Sequence, residues 1–173
     1  MKKVLYILSE LSTRDIDWML EVGQRLEIPA GSEVIKENED IDALYIVLDG
    51  SLSVCVASLG AKEIATIGSG EVLGEMSFVD SRPPSATVTA LEKSLLLAIP
   101  KAELNAKLQE DVLFSLRFYR AIAKFLSNRL RGTFSSLAPE EEKSALAEVG
   151  EENLTLAASR FDDLLQIMKD SSA

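Results

Sequence analysis

An α+β fold built on an antiparallel β-roll is predicted by three features of the chain. From about residue 33 to 99, short runs rich in Val, Ile and Leu alternate with turn residues. Before that stretch, residues 4–26 keep helical spacing. After Pro100 the helical spacing returns. Many short strands at regular intervals point to a sandwich or barrel, with the helices at its ends.

The opening segment reads as helix over 4–26. Ser12 precedes Asp15 by three, the pattern of an N-cap with an acid in the first turn. Ile16, Met19, Leu20 and Gly23 follow at helical spacing, and Trp18 among them reads as core. Pro29-Ala30-Gly31-Ser32 breaks the pattern.

Six strand-like runs follow: Val34-Ile35, Leu44–Leu48, Leu52–Val56, Ile64–Ile67, Ala86–Ala90 and Leu95–Ile99. Asp49-Gly50, between two of them, is a strong hairpin signal. Cys55 reads as a small buried apolar residue.

Pro100 opens the helical part. A short helix is expected over 101–109 and a longer one over 111–131, ending at Gly132. The long helix carries two apolar stripes. Val112, Leu116, Tyr119, Ala123, Leu126 and Leu130 alternate steps of four and three, as in a coiled-coil seam. Phe114, Phe118, Ile122 and Phe125 lie on another face. A helix apolar on two sides must be buried on two sides. One stripe is therefore expected on the chain's own barrel and the other, within residues 112–130, on a second copy in a homodimer. A single wide core face in a monomer is the alternative.

Residues 133–173 form an acidic tail beside the main unit, 1–132. From Pro139 onward, nine acids face three bases, six of the net negative charges of the whole chain. Residues 111–131 run the other way, with five bases and one acid. Leu154, Ala157, Phe161, Leu164, Leu165 and Met168 keep helical spacing in the tail. It is either a solvated linker with a peripheral helix, or a docking segment for a protein partner or for the basic helix.

Composition closes off several function classes. The chain has 173 residues, 47% of them hydrophobic and 27% charged, enough for a core of its own. With no histidine, neither a His-based catalytic triad nor a His-ligated metal site can be built. With one cysteine, an intrachain disulfide is excluded. No catalytic residues, metal or resident cofactor are expected. A net charge of −10 argues against DNA, and the tail is too short and acidic for a helix-turn-helix. The apolar run Val4–Leu8 is too short for a secretory signal, and no run reaches a membrane span. A soluble, cytoplasmic protein is the expectation.

The informative stretch runs from Gly70 to Ala90. Gly74 permits a backbone conformation or close approach that a side chain would block. Ser77, Ser81 and Ser85 supply donors. Glu75 would repel a phosphate, yet it suits the hydroxyls of a sugar; equally, a carboxylate at a helix start suits the helix dipole.

Leu73-Gly74-Glu75-Met76-Ser77-Phe78, with Ser85-Ala86-Thr87-Val88, resembles the phosphate-binding cassette of the cyclic nucleotide-binding domain family. The stretches Val34–Asp40 and Leu44–Gly50 resemble that family's first signature. The resemblance covers about residues 5–132. It implies an eight-stranded, jelly-roll-like β-roll with the cassette between the sixth and seventh strands and a long helix behind it. It implies a stand-alone regulatory module that binds cAMP or cGMP and signals through the long helix. Gly74, Glu75, Met76 and Ser77 would line the ribose-phosphate site, with Glu75 accepting from the ribose 2′-hydroxyl. Ser85 and Ala86, leading into Thr87, would face the cyclic phosphate. The base would lie toward residues 113–131, where Ser127 and Asn128 are the polar candidates.

Two positions depart from the family pattern. Pro84 stands where the family has the arginine that pairs with the cyclic phosphate, and Arg82 is the nearest cation. Such a charge-assisted contact is worth about 1.5–3 kcal/mol. Asn38 stands where the family has glycine, and Asn tolerates a left-handed turn. Three readings follow: a cyclic nucleotide site, a site for another small anionic or nucleotide ligand, or a fold that has lost its ligand and serves dimerisation and protein docking.

Overall fold

The computed structural model describes residues 5–137 and 154–170, and side chains over 7–132 and 158–170. Two short helices open it, α1 (Leu5–Glu10) and α2 (Thr13–Val22). The expected single helix over 4–26 is broken by Ser12. Its hydroxyl accepts from the Asp15 amide while the Asp15 carboxylate accepts from the Ser12 amide, a capping box that starts a new helix. At the other end, β1 (Gln24–Ile28) replaces the predicted last turn, because pairing with a central strand outweighs local helical spacing.

Eight strands make two antiparallel sheets. They are β1, β2 (Glu33–Ile35), β3 (Ala43–Asp49), β4 (Ser51–Val56), β5 (Lys62–Gly68), β6 (Val72–Leu73), β7 (Thr87–Ala90) and β8 (Ser94–Pro100). One sheet has the order β1-β8-β3-β6, the other β2-β7-β4-β5. The expected jelly-roll-like arrangement is present, with β1 and β6 added to the six apolar runs. β3 and β8 are buried almost throughout, so they read as unbroken apolar runs rather than alternating ones.

Asp49-Gly50 is not a hairpin turn within one sheet. β3 belongs to the first sheet and β4 to the second, so the dipeptide turns a corner between layers. Gly50 has φ of 101°, and a Cβ there would lie 2.3 Å from the Ser94 hydroxyl. Both conditions require glycine. β4 instead pairs with β5, through a single 3₁₀ turn at Ala57–Leu59. Cys55 on β4 is half-buried, its sulfur 3.4 Å from the Ser53 hydroxyl.

Three further helices lie on the body. α3 (Met76–Asp80) sits between β6 and β7, α4 (Lys101–Glu110) follows β8, and α5 (Val112–Leu137) follows α4. Asp111 separates the last two, and its carboxylate caps α5 at the Phe114 amide. α5 runs through Gly132 rather than stopping there.

The two stripes of α5 part, one buried and the other largely exposed. Phe114, Phe118, Ile122 and Phe125 are buried in the one core cluster that also holds the strand residues, with α1 and α4 packed along α5. Trp18 of α2 meets Phe114 edge to face at 5.3 Å. Val112, Leu116, Tyr119, Ala123 and Leu130 are exposed, whereas Leu126 leans on the chain's own core.

α6 (Leu154–Asp170) folds back on α1. Leu164 and Met168 are buried there, with Phe161 and Leu165 partly so. Among the described residues, Arg117 of α5 is met by Asp15, Arg120 and Lys124 by Glu10. The acids at Glu140, Glu141, Glu142, Glu148, Glu151 and Glu152 lie outside the described residues.

Candidate functional site

The predicted cassette leaves the edge of the first sheet at β6 and enters the second sheet at β7. β6 is held by β3 through the pairs Tyr45–Leu73 and Ile46–Val72. Gly74 then takes φ of +83°, where a Cβ would lie 2.7 Å from Ile41 Cδ1 and 3.3 Å from the Ala43 carbonyl. The close approach predicted for this glycine is present, and it turns the chain inward so that the next side chain is buried.

That side chain is Glu75, only 3% exposed, at the start of α3. Its Oε1 accepts from Arg129 Nη1 of α5 at 2.8 Å. Burial pushes the Glu75 carboxyl above the usual glutamate range, against the pull of the Arg129 guanidinium. Arg129 also lies over the Phe125 ring at 5.0 Å. The carboxylate read as a ribose acceptor is thus already joined to the long helix.

Ser77 is buried beside it, whereas Met76 is half-exposed and turned outward. At the far end of α3, Ser81 takes φ of 58° and the chain leaves the helix. Arg82 stands in solvent with 83% of its side chain exposed. Its Nε lies 3.8 Å from Asp80 Oδ2, and its amide donates to Asp80 Oδ1 at 3.1 Å. The structure therefore does not bring Arg82 to Glu75.

The return of the cassette is tied to the loop after β2. The Asn38 amide donates to the Pro84 carbonyl at 2.9 Å, with Asn38 at φ of 63°, the left-handed turn anticipated there. The Glu37 amide donates to Thr87 Oγ1 at 3.1 Å, and Glu37 Oε2 accepts from the Ala57 amide at 2.8 Å. Glu37 so fastens the cassette's end and the β4–β5 turn to one loop. Ser85 is exposed and Ala86 half-buried. On α5, Ser127 is exposed and the Asn128 amide nitrogen donates to the Lys124 carbonyl of its own helix.

Sequence reasoning passed over Arg129 and Glu37. Arg129 carried a signal: it is the next position of the stripe Phe114, Phe118, Ile122, Phe125. A charge on a buried stripe needs a partner, and Glu75 is that partner. Glu37 carried none, since its role depends on loops that meet only in space.

A family model described as "Cyclic nucleotide-binding domain" matches residues 25–111. The chain belongs to this family. A "Cyclic AMP receptor protein" of Thermus thermophilus is 31% identical over 123 residues, 70% of this chain and 55% of that protein. A cyclic nucleotide-binding domain from Methylobacillus flagellatus superposes with a TM-score of 0.70 at 21% identity, over 87% of this chain and 85% of that one. The regulatory domain of Toxoplasma gondii PKA, solved with cAMP, superposes at 0.54 with 26% identity, over 60% and 42%. The chain spans about half the length of the receptor and about a third of a Xanthomonas perforans effector that it also matches. Among the described residues of this cyclic nucleotide-binding domain, no helix is long and apolar enough to cross a membrane, and no acidic or Cys cluster has the arrangement to hold a metal ion.

Proposed function

We propose that this domain is a non-enzymatic regulatory module that takes a cyclic nucleotide at Gly74–Ser77 and Ser85–Thr87 and reports occupancy through α5. The observation that carries this reading is the Glu75–Arg129 ion pair, since it joins the cassette to the helix. A ribose hydroxyl donating to Glu75 competes with Arg129 for a buried carboxylate, so occupancy and helix position are linked. A ligand shifts such an equilibrium only by its differential affinity for the two states. The coupling therefore scales with how far Arg129 must give way. The exposed face of α5, within residues 112–130, would pair with a second copy. Such a module would work in the cytoplasm.

Calorimetric titration with cAMP and then cGMP tests this. Saturable binding to one of them, weakened at least about tenfold by Glu75→Ala, is the expected result. Silence with both up to about 1 mM would overturn it.

A second reading keeps the fold without the nucleotide, as a dimerisation or docking module. It is favoured by Pro84, which supplies neither a guanidinium nor an amide donor, and by Arg82 standing in solvent beside Asp80.

A further inference from the structure

We infer that the surface of α1 is a docking site for an amphipathic helix, and that α6 is its detachable occupant, held in cis. The last turn of α1 (Leu5–Glu10) leaves main-chain carbonyls that no residue further along the same helix can satisfy. Arg160 does this from far along the chain: its Nη1 donates to the Leu8 carbonyl at 2.8 Å and to the Leu11 carbonyl at 2.6 Å. A guanidinium on the C-terminal end of a helix also meets the negative end of the dipole.

Four and eight residues after Arg160 come Leu164 and Met168, both buried on the same side. The recognition element is therefore an arginine with apolar residues four and eight positions later. Its acceptors are backbone carbonyls, so the site reads the shape and charge of a helix rather than a matched acidic side chain. Among the described side chains, Phe161 and Leu165 are partly buried beside this row, and Asp162, Asp163, Gln166, Ile167, Lys169 and Asp170 are exposed.

The geometry of attachment also differs from that of α5. α1 and α2 hold α5 through Glu10 with Arg120 and Lys124, and through Asp15 with Arg117. Among its described side chains, α6 is held by Arg160, by the buried Leu164 and Met168 and by the partly buried Phe161 and Leu165, and it is joined in sequence to α5 by residues 138–153, six of which are glutamate. A helix held this way competes with any helix of like pattern supplied in trans, at the effective concentration its tether sets.

The test uses a fluorescent peptide of residues 154–170 and the full chain. In the chain carrying Leu164→Asp, the resident helix is displaced and the peptide should bind saturably. To the unmodified chain it should bind at least about tenfold more weakly, because α6 competes. The peptide carrying Arg160→Ala should lose at least about fivefold. Absence of binding to a Leu164→Asp chain that keeps its β-sheet circular dichroism, or equal affinity for both chains, overturns the proposal. Should Leu164→Asp fail to fold, hydrogen exchange of the unmodified chain decides. α6 amides that exchange ahead of those of α5 support a detachable helix, and exchange of both as one unit overturns it.

Discussion

Glu75 Oε1 and Arg129 Nη1 stand 2.8 Å apart, one at the start of α3 in the cassette and the other near the end of α5. Only 4% of the Glu75 side chain is exposed, against 32% of that of Arg129. The pair is therefore lopsided: the carboxylate has given up water, and the guanidinium has kept part of it. Removing the two partners should have unequal consequences.

Arg129→Ala leaves a carboxylate buried with its cation gone, and should destabilise the chain by about 1–3 kcal/mol at neutral pH. Glu75→Gln removes the charge that burial penalises and should cost less than about 1 kcal/mol. The pH dependence carries the sign. The folded Glu75 carboxyl lies above its unfolded value, so its contribution is full below the unfolded value and is lost as pH rises through the folded one. Arg129→Ala raises the folded value further. Chemical denaturation of that variant should therefore show stability falling more steeply with rising pH, from the ordinary glutamate range upward, than the unmodified chain shows.

Asp15 behaves in the opposite sense. Burial pulls its pKa up. The Arg117 guanidinium and the Ser12 amide and hydroxyl outweigh that, leaving the carboxyl below the usual aspartate range. A depressed carboxylate contributes stability that is present above its unfolded value and is lost as pH falls through the folded one. Asp15→Asn should cost about 1–3 kcal/mol at neutral pH and remove part of the acid sensitivity. Urea denaturation at pH 7 and at pH 3 would measure both.

The exposed face of α5 makes a prediction about assembly. Leu116 is 65% exposed, so Leu116→Glu should change folding stability by no more than about 0.5 kcal/mol. In a dimer paired through this face, the same charge lies in the seam. Light scattering should show a dimer for the unmodified chain and a monomer for the variant. A monomer in both cases would remove the face as a pairing surface.

Pro84 makes a prediction about affinity. Its carbonyl accepts from Asn38, and an arginine keeps that bond. Pro84→Arg should therefore preserve the loop and add a guanidinium facing the ligand's phosphate, raising cyclic nucleotide affinity about ten- to a hundredfold by calorimetry. Arg82→Ala should leave affinity unchanged, since Arg82 turns to Asp80 in solvent.

Where side-chain pattern and burial agree, the sequence was legible. β3 and β8 are apolar runs because both faces are covered, and the aromatic stripe of α5 is periodic because one face is buried. The helical spacing of 4–26 runs into the first half of β1 because Gln24–Leu26 carry no pattern that separates a strand from a last helical turn; pairing with β8 decides it. Asp49-Gly50 signalled a turn correctly but not the change of sheet, which depends on how β3 and β4 are each paired elsewhere. In the candidate site, Gly74 and Glu75 were legible from their motif. The partner Arg129 lies 54 positions away, and only its place on a buried stripe betrayed it.

Hydrogen exchange followed by mass spectrometry, with and without saturating cyclic nucleotide, tests the central claim most directly. It reads the cassette, residues 74–87, and α5, residues 112–137, in one experiment. Coupling through Glu75 and Arg129 predicts that protection changes in both segments together, and that Arg129→Ala leaves the change in the cassette while removing it from α5. A change confined to the cassette of the unmodified chain, or no change in either segment, would contradict it.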